Sequence, residues 1–433
     1  MADTTANQPA LRCIDDDQRH RHSARTQRPF RHITRAPRRC SGVPRKGQLA
    51  FLWSGRSYLL DGDRGALHAL PGTAATAPTW SADGRWLAYL ASNGGTSGSA
   101  LWVVRKDGGN AHTIAGLPAA AHSYAWSSRG HTLDVTLDKR TAANLWFADP
   151  TGQAGPHPVA SRVGLLSPDG ATLAFTAWLS YKDPTQRSEV LYTVPVSGGR
   201  PVRRLFARYS GIILLGWWPD GKGLLYRLDP QFSASMAADG LPLYTLRLGA
   251  APRALPVTLG YPEYMAPSPS GRRVLLVAGG DRENWNNKSL RICDIETAAC
   301  HALPKPPGTV ALDADWAPRG DRIVYVQARD RGLNYGFNSQ AALLAWVKSR
   351  ALWVVNTNGT GARQITAAGT GVYQPRWAGD GRHVLFVRDD ALWLIDTRSG
   401  LPARVLGPFP GTPDYLGFYG HVSWPVQWAW NRH

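Results

Sequence analysis

The residues best suited to chemistry are polar side chains that recur just before an aromatic or apolar residue and a tight turn: His122 and Tyr124, Arg162, Glu263 and Tyr264, Asp313 and Asp315, Gln374 and Arg376. An imidazole, two guanidinium groups and three carboxylates could serve as acid, base and electrophile if gathered in one place, or as hydrogen-bonding partners for a ligand. Each taken alone is most simply a structural hydrogen bond. No His-x-x-x-His pair or carboxylate cluster has metal-ligand spacing, so no metal or other cofactor is expected. Cys293 and Cys300 flank a short hairpin turn and are expected to face each other across two strands, as a disulfide in an oxidising compartment and as thiols otherwise.

The elements that would carry these groups follow from one repeated pattern. Trp80-Ser81-Ala82-Asp83-Gly84 returns with variations from Trp126, Leu166, Trp217, Pro267, Trp316 and Trp377, at spacings of 46, 40, 51, 50, 49 and 61 residues. Asp bonds its own backbone two residues on and Gly tolerates positive φ, so each copy is a tight turn between two strands. An apolar strand follows each turn, for example 86–90, 173–176 and 384–387, and then a strand opening on Leu and usually an aromatic, as at Leu101-Trp102, Leu191-Tyr192 and Leu392-Trp393. A Gly-rich turn and a fourth strand complete the unit. Four antiparallel strands at a period of roughly 40 to 50 residues make a propeller blade.

Residues 48–52, 57–60 and 66–70 supply only three strands of the first unit. The missing one is expected from the C-terminus, where Val426-Gln427-Trp428-Ala429 puts Trp428 51 residues after Trp377. The expected fold is therefore all-β: a propeller of eight four-stranded blades, with seven as the alternative, closed by the last strand completing the first blade.

These repeats resemble the TolB-like, WD40-like propeller repeat, found in TolB and in the N-terminal propellers of the prolyl oligopeptidase and dipeptidyl peptidase IV families. The resemblance covers residues 47–433 and implies a fold shared by proteins of unrelated function. TolB has an α/β domain before its propeller, and the Arg-rich residues 1–46 are not expected to replace it. The chain lacks the Gly-x-Ser-x-Gly nucleophile of the peptidases and the length for their hydrolase domain.

Residues 1–46 differ in kind, with 11 Arg and Lys against 4 Asp, a net +7 of the chain's +18. They read as a disordered basic tail, or as the product of a start site placed too far upstream. The sharper alternative is an arm that binds nucleic acid or another polyanion. The tail has no apolar core of a signal peptide, and no apolar run in the chain approaches the roughly 20 residues that cross a bilayer. A cytoplasmic monomer is the default expectation, an extracytoplasmic one if the start is misassigned.

Tight motif turns occupy one face of such a propeller. The loops between second and third strands, on the other face, are long at 178–188, 229–240, 279–288 and 327–350. The last should hold a short helix over 340–347 capped by Asn338 or Ser339, with Tyr335, Phe337 and Trp346 beside the channel mouth. The helix either lids the channel or packs back on the propeller. Loops on a rigid scaffold are the usual seat of function. The expectation is a non-catalytic scaffold that binds a protein or a small or oligomeric ligand on this face. The alternatives are a lyase or hydrolase of acidic polysaccharides using residues from several blades, and polyanion binding by the tail.

Overall fold

The computed structural model describes residues 47–62, 65–73, 75–92, 99–127, 132–137, 143–179, 187–230, 240–280, 282–332, 336–409, 414–415, 419–424 and 427–431. The basic tail and Tyr335 lie outside them. Eight four-stranded antiparallel sheets follow one another along the chain. Their strands, first to fourth, are Thr79–Trp80, Trp86–Ala91, Ala100–Arg105 and His112–Thr113 in blade 2, and Ala121–Trp126, Leu133–Leu137, Leu145–Ala148 and His157–Ala160 in blade 3. Blade 4 has Leu165–Leu166, Thr172–Leu179, Ser188–Pro195 and Val202–Ala207; blade 5 has Ser210–Trp217, Gly223–Pro230, Leu243–Arg247 and Arg253–Leu255. Blade 6 is Met265–Pro267, Arg273–Ala278, Ser289–Asp294 and Cys300–Ala302, and blade 7 is Thr309–Trp316, Arg322–Arg329, Ala351–Asn356 and Arg363–Gln364. Blade 8 is Tyr373–Trp377, His383–Arg388, Ala391–Asp396 and Pro402–Leu406. Blade 1 takes Gln427–Trp430 as its first strand, before Gln48–Trp53, Arg56–Asp61 and Ala66–Ala69. The propeller with eight blades and C-terminal closure is thus the fold.

The repeated turn works as its residue types require. In blade 2 the Ser81 hydroxyl donates to Asp83 and accepts from the Trp86 amide, Asp83 also accepts from the Arg85 amide, and the Gly84 amide closes the turn on the Ser81 carbonyl. Gly84 sits at φ +65°, where a side chain would be strained. Blade 4 repeats the arrangement with Ser167, Asp169 and Gly170.

Four of the recurring Trp residues tie their blade to the one before. The indole N–H of Trp80 donates to the Ala429 carbonyl, that of Trp126 to Thr79, that of Trp217 to Leu165 and that of Trp316 to Ala266. Each acceptor lies one residue before the first motif residue of its own blade, Trp430, Trp80, Leu166 or Pro267. Arginines clasp from the other side: Arg273 stacks over Trp316 and donates to Gly320, and Arg322 stacks over Trp377 and donates to Gly381.

This regularity corrects the register of closure. Every motif aromatic pairs with the residue seven positions on, such as Trp80 with Leu87 and Trp377 with Val384. In blade 1 the residue paired with Leu49, the equivalent of Leu87, is Trp430, and Ala429 is the carbonyl that Trp80 seeks. Trp430, not Trp428, is the eighth copy; both lie on the same strand, two residues apart.

The core is uneven around the ring. One continuous apolar cluster runs through blades 6, 7, 8 and 1. Between blades 3 and 4 the fully buried cluster shrinks to Leu145, Leu173 and Phe175. Cys293 and Cys300 stand opposite each other in blade 6 with their sulfurs bonded. No helix among the described residues is long and apolar enough to cross a membrane.

Candidate functional site on the long-loop face

Bulges in the inner strands place the candidate polar groups. In blades 3, 7 and 8 the first strand slips register three or four residues before its Trp, at Ala121/Ser123, Leu312/Asp315 and Tyr373/Arg376. Asp313 and Gln374 occupy these bulges at φ +44° and +52°, a conformation that costs free energy unless its surroundings fix it. The Asp313 carboxylate supplies one such fixing contact, accepting from the Gln374 amide at 3.4 Å.

Blades 6, 7 and 8 bring six of the nine polar candidates into one quadrant. Glu263, in a 3-10 turn at Pro262–Tyr264, pairs with His421, whose ring lies 3.8 Å from that of Tyr261 in parallel stacking. Burial pushes the Glu263 carboxyl up, but the His421 hydrogen bond and the charges of His421 and Arg376 outweigh it and hold the group below the usual carboxylate range. Asp313 pairs with Arg350 at 3.4 Å, both side chains nearly inaccessible at 7% and 2% exposure. Burial raises its carboxyl pKa, with Arg350 pulling the other way. Burial also drives the Tyr264 hydroxyl well above its ordinary value, and it donates to the Asn284 side chain. Asp315 accepts from the Trp377 amide at 2.8 Å, and Gln374 accepts from the Trp428 indole at 3.3 Å.

The other three polar candidates do not join this group. Tyr124 donates to the Ala88 carbonyl of the preceding blade at 2.7 Å, Arg162 stacks 4.8 Å over Phe175, and His122 is exposed on blade 3. Among the described residues, no group of three His, Cys, Asp or Glu is placed to hold a metal ion.

Three insertions roof the quadrant. The blade 6 loop donates from the Asn284 backbone and side-chain amides to the Tyr419 carbonyl, and Arg282 reaches the Tyr419 hydroxyl at 3.2 Å. Gly420, at φ +70°, lies so close that a Cβ there would meet the Trp285 ring at 2.9 Å. Trp285 in turn packs edge-on against Phe337 at 4.6 Å, and Phe337 lies 6.0 Å from Trp346. Phe337, half-buried, and Trp346, buried, are thus held by ring packing within the insertions. Trp346 belongs to helix α1, Gln340–Lys348, capped by the Ser339 hydroxyl on the Ala342 amide. With Leu343, Trp346 and Val347 buried and the Trp346 indole bonded to the Arg329 carbonyl, α1 packs back on the propeller.

Sequence reasoning missed His421, Arg350, Asn284 and Tyr419. All four stand in connections outside the repeat, where no period marks them.

No protein-family model and no curated protein matches the chain. Solved structures with the same type of fold include TolB from Acinetobacter baumannii, at 16% identity and a TM-score of 0.35, with 76% of this chain and 66% of that one covered. A eukaryotic initiation factor structure has 12% identity and a TM-score of 0.49, covering 88% of this chain and 98% of its own. An oligogalacturonate lyase in complex with manganese has 13% identity and a TM-score of 0.46, with 84% and 98% covered. At these identities the likeness is one of fold.

Proposed function

We propose that the chain is a binding propeller that engages a partner protein or an oligomeric ligand over blades 6 to 8 of its long-loop face. The observation that carries this reading is the interlocking of three insertions around polar groups that are already paired with one another. Glu263 is held by His421, Asp313 by Arg350, and Asp315 by a backbone amide, which favours a rigid recognition surface over a set of free acids and bases. Leu344, 38% exposed on α1, offers an apolar contact, and Arg376, half-buried beside Glu263, a cationic one. Leu344→Glu and Arg376→Glu, each with an unchanged melting profile, are expected to weaken retention of a partner by the immobilised full-length protein about tenfold or more. Unchanged retention in both variants would overturn the assignment of this face.

One observation favours a second reading. An imidazole–carboxylate pair with a guanidinium nearby is the apparatus for abstracting a proton beside a carboxylate, as in eliminative cleavage of an acidic polysaccharide. In that case His421→Ala lowers turnover of polyuronate by at least about a hundredfold while substrate is still retained. Absence of turnover by the unmodified protein disposes of this reading and leaves the binding role standing.

A further inference from the structure

On the opposite side from the insertions, a cleft of about 620 Å³ opens at the seam of blades 3 and 4, within the size range of small-ligand sites. It runs from the motif turns past the inner strands and out to His157 in the fourth strand of blade 3. It is lined by Tyr124, Trp126, Phe147, His157 and Trp217, with Asp134 among its polar groups.

Asp134 violates the repeat. It stands eight residues after the motif aromatic of its blade, next to Leu133, which pairs with Trp126. The same position holds Ala50, Ala88, Ala174, Leu225, Leu275, Val324 and Leu385 in the other seven blades. In blade 2 that residue, Ala88, packs in the cluster shared with blade 3, so the position faces the next blade. Seven blades use it to seal a seam with an apolar group, and blade 3 puts a carboxylate there.

One oxygen of the Asp134 carboxylate, the buried Oδ1, is left without a partner among the described residues. The aromatic donors that line the cleft are engaged elsewhere: the Tyr124 hydroxyl with Ala88, the Trp126 indole with Thr79 and the Trp217 indole with Leu165. Asp169, at the rim, is occupied by the Ser167 hydroxyl and the Ala171 amide. An unpaired acceptor of this kind costs free energy that a retained site recovers only when a donor arrives.

We infer that the seam of blades 3 and 4 is a binding site for an organic cation, a primary ammonium or guanidinium group whose N–H donors reach Asp134 while its apolar portion lies against the aromatic walls. The chemistry is that of cation recognition by a carboxylate among aromatic rings. The site stands apart from the long-loop face and does not depend on the function assigned there. Burial pushes the Asp134 carboxyl up to about 6, so the site is charged above that pH and neutral below it. The other titratable groups facing the cleft are Tyr124, His157 and Asp169.

The test uses the full-length protein with phenethylammonium and its neutral counterpart 2-phenylethanol as probes in calorimetric titration. At pH 7.5 the ammonium is expected to bind roughly tenfold tighter than the alcohol or better, and the preference is expected to fall away by pH 5. Asp134→Asn and Asp134→Leu should both abolish the preference. The Leu variant restores the residue type found at this position in blades 5, 6 and 8, so its fold is not at risk. Equal binding of the two probes by the unmodified protein, or a preference that survives in Asp134→Leu, would overturn the site.

Discussion

Arg350→Met is expected to lower the unfolding free energy by about 3 to 5 kcal/mol at pH 7, because it strands Asp313 as a buried charge without its counter-ion. With an unfolding entropy of roughly 2.1 cal/mol/K per residue over the propeller, that loss corresponds to a fall of roughly 4 to 6 °C in melting temperature. Asp313 would retain the Gln374 amide, a contact at 3.4 Å that replaces little of the lost charge. The sign of the pH dependence follows from the raised carboxyl. A group whose folded pKa lies above its unfolded one favours the folded state most at pH values below the unfolded pKa, and that contribution is lost as pH climbs through the folded value. Removing Arg350 raises the folded value further, so the defect is largest at neutral pH and shrinks towards acid. Thermal melts at pH 7 and pH 5 check this. The double change Arg350→Met with Asp313→Asn should recover part of the loss, since the amide leaves no uncompensated charge and Asn tolerates the positive φ of this position. A single variant that melts like the parent at pH 7 would show that the pair contributes nothing.

The same physics separates what was legible in the sequence from what was not. The turn residues of the motif and the Leu-aromatic opening of the third strands repeat because each blade must solve the same packing problem, so blade number and strand order could be read directly. The closing strand was legible, but not its register. Trp428 and Trp430 lie two residues apart, and a shift of two along a strand keeps every side chain on the same face, so alternation cannot choose between them. What chose was a contact no pattern displays, the Trp80 indole on the Ala429 carbonyl. The site divides likewise. Glu263, Tyr264, Asp313, Asp315, Gln374 and Arg376 could be picked out as candidates because they precede motif residues, whereas His421 and Arg350, which pair with two of them, come from insertions without a repeat. His122, Tyr124 and Arg162 share the same position in the pattern and play other parts, so position in the repeat was a screen and not a role. Asp134 is the converse case. Its signal was present in the sequence, as one charge in a column of Ala, Leu and Val, and became meaningful once the column was known to seal a seam.

Deleting residues 427–433 is expected to abolish the cooperative unfolding transition and to leave a soluble yield far below that of the parent. The four residues Gln427–Trp430 pair with Leu49 to Leu52, so their loss bares the edge of Gln48–Trp53 along the inner rim of the ring. It also removes the acceptor of the Trp80 indole and the side chain of Asn431, which donates to Gln48 and to Gly84 and so joins blade 1 to the motif turn of blade 2. An opened ring exposes the apolar cluster that runs through blades 6, 7, 8 and 1, the largest among the described residues. Point variants then discriminate the two tryptophans. Trp430 packs against that cluster and sits over Gly47, so Trp430→Ala should cost about 2 to 4 kcal/mol, a partly buried aromatic lost from a tight seam. Trp428 also touches the cluster, but its polar anchor is a single bond to the Gln374 side chain, and Trp428→Ala should cost less, about 1 to 2 kcal/mol. Chemical denaturation of the two variants measures the difference. If Trp428→Ala proved the more damaging, the strand would be docked two residues out of the register described, and Trp80 would have to find its acceptor elsewhere.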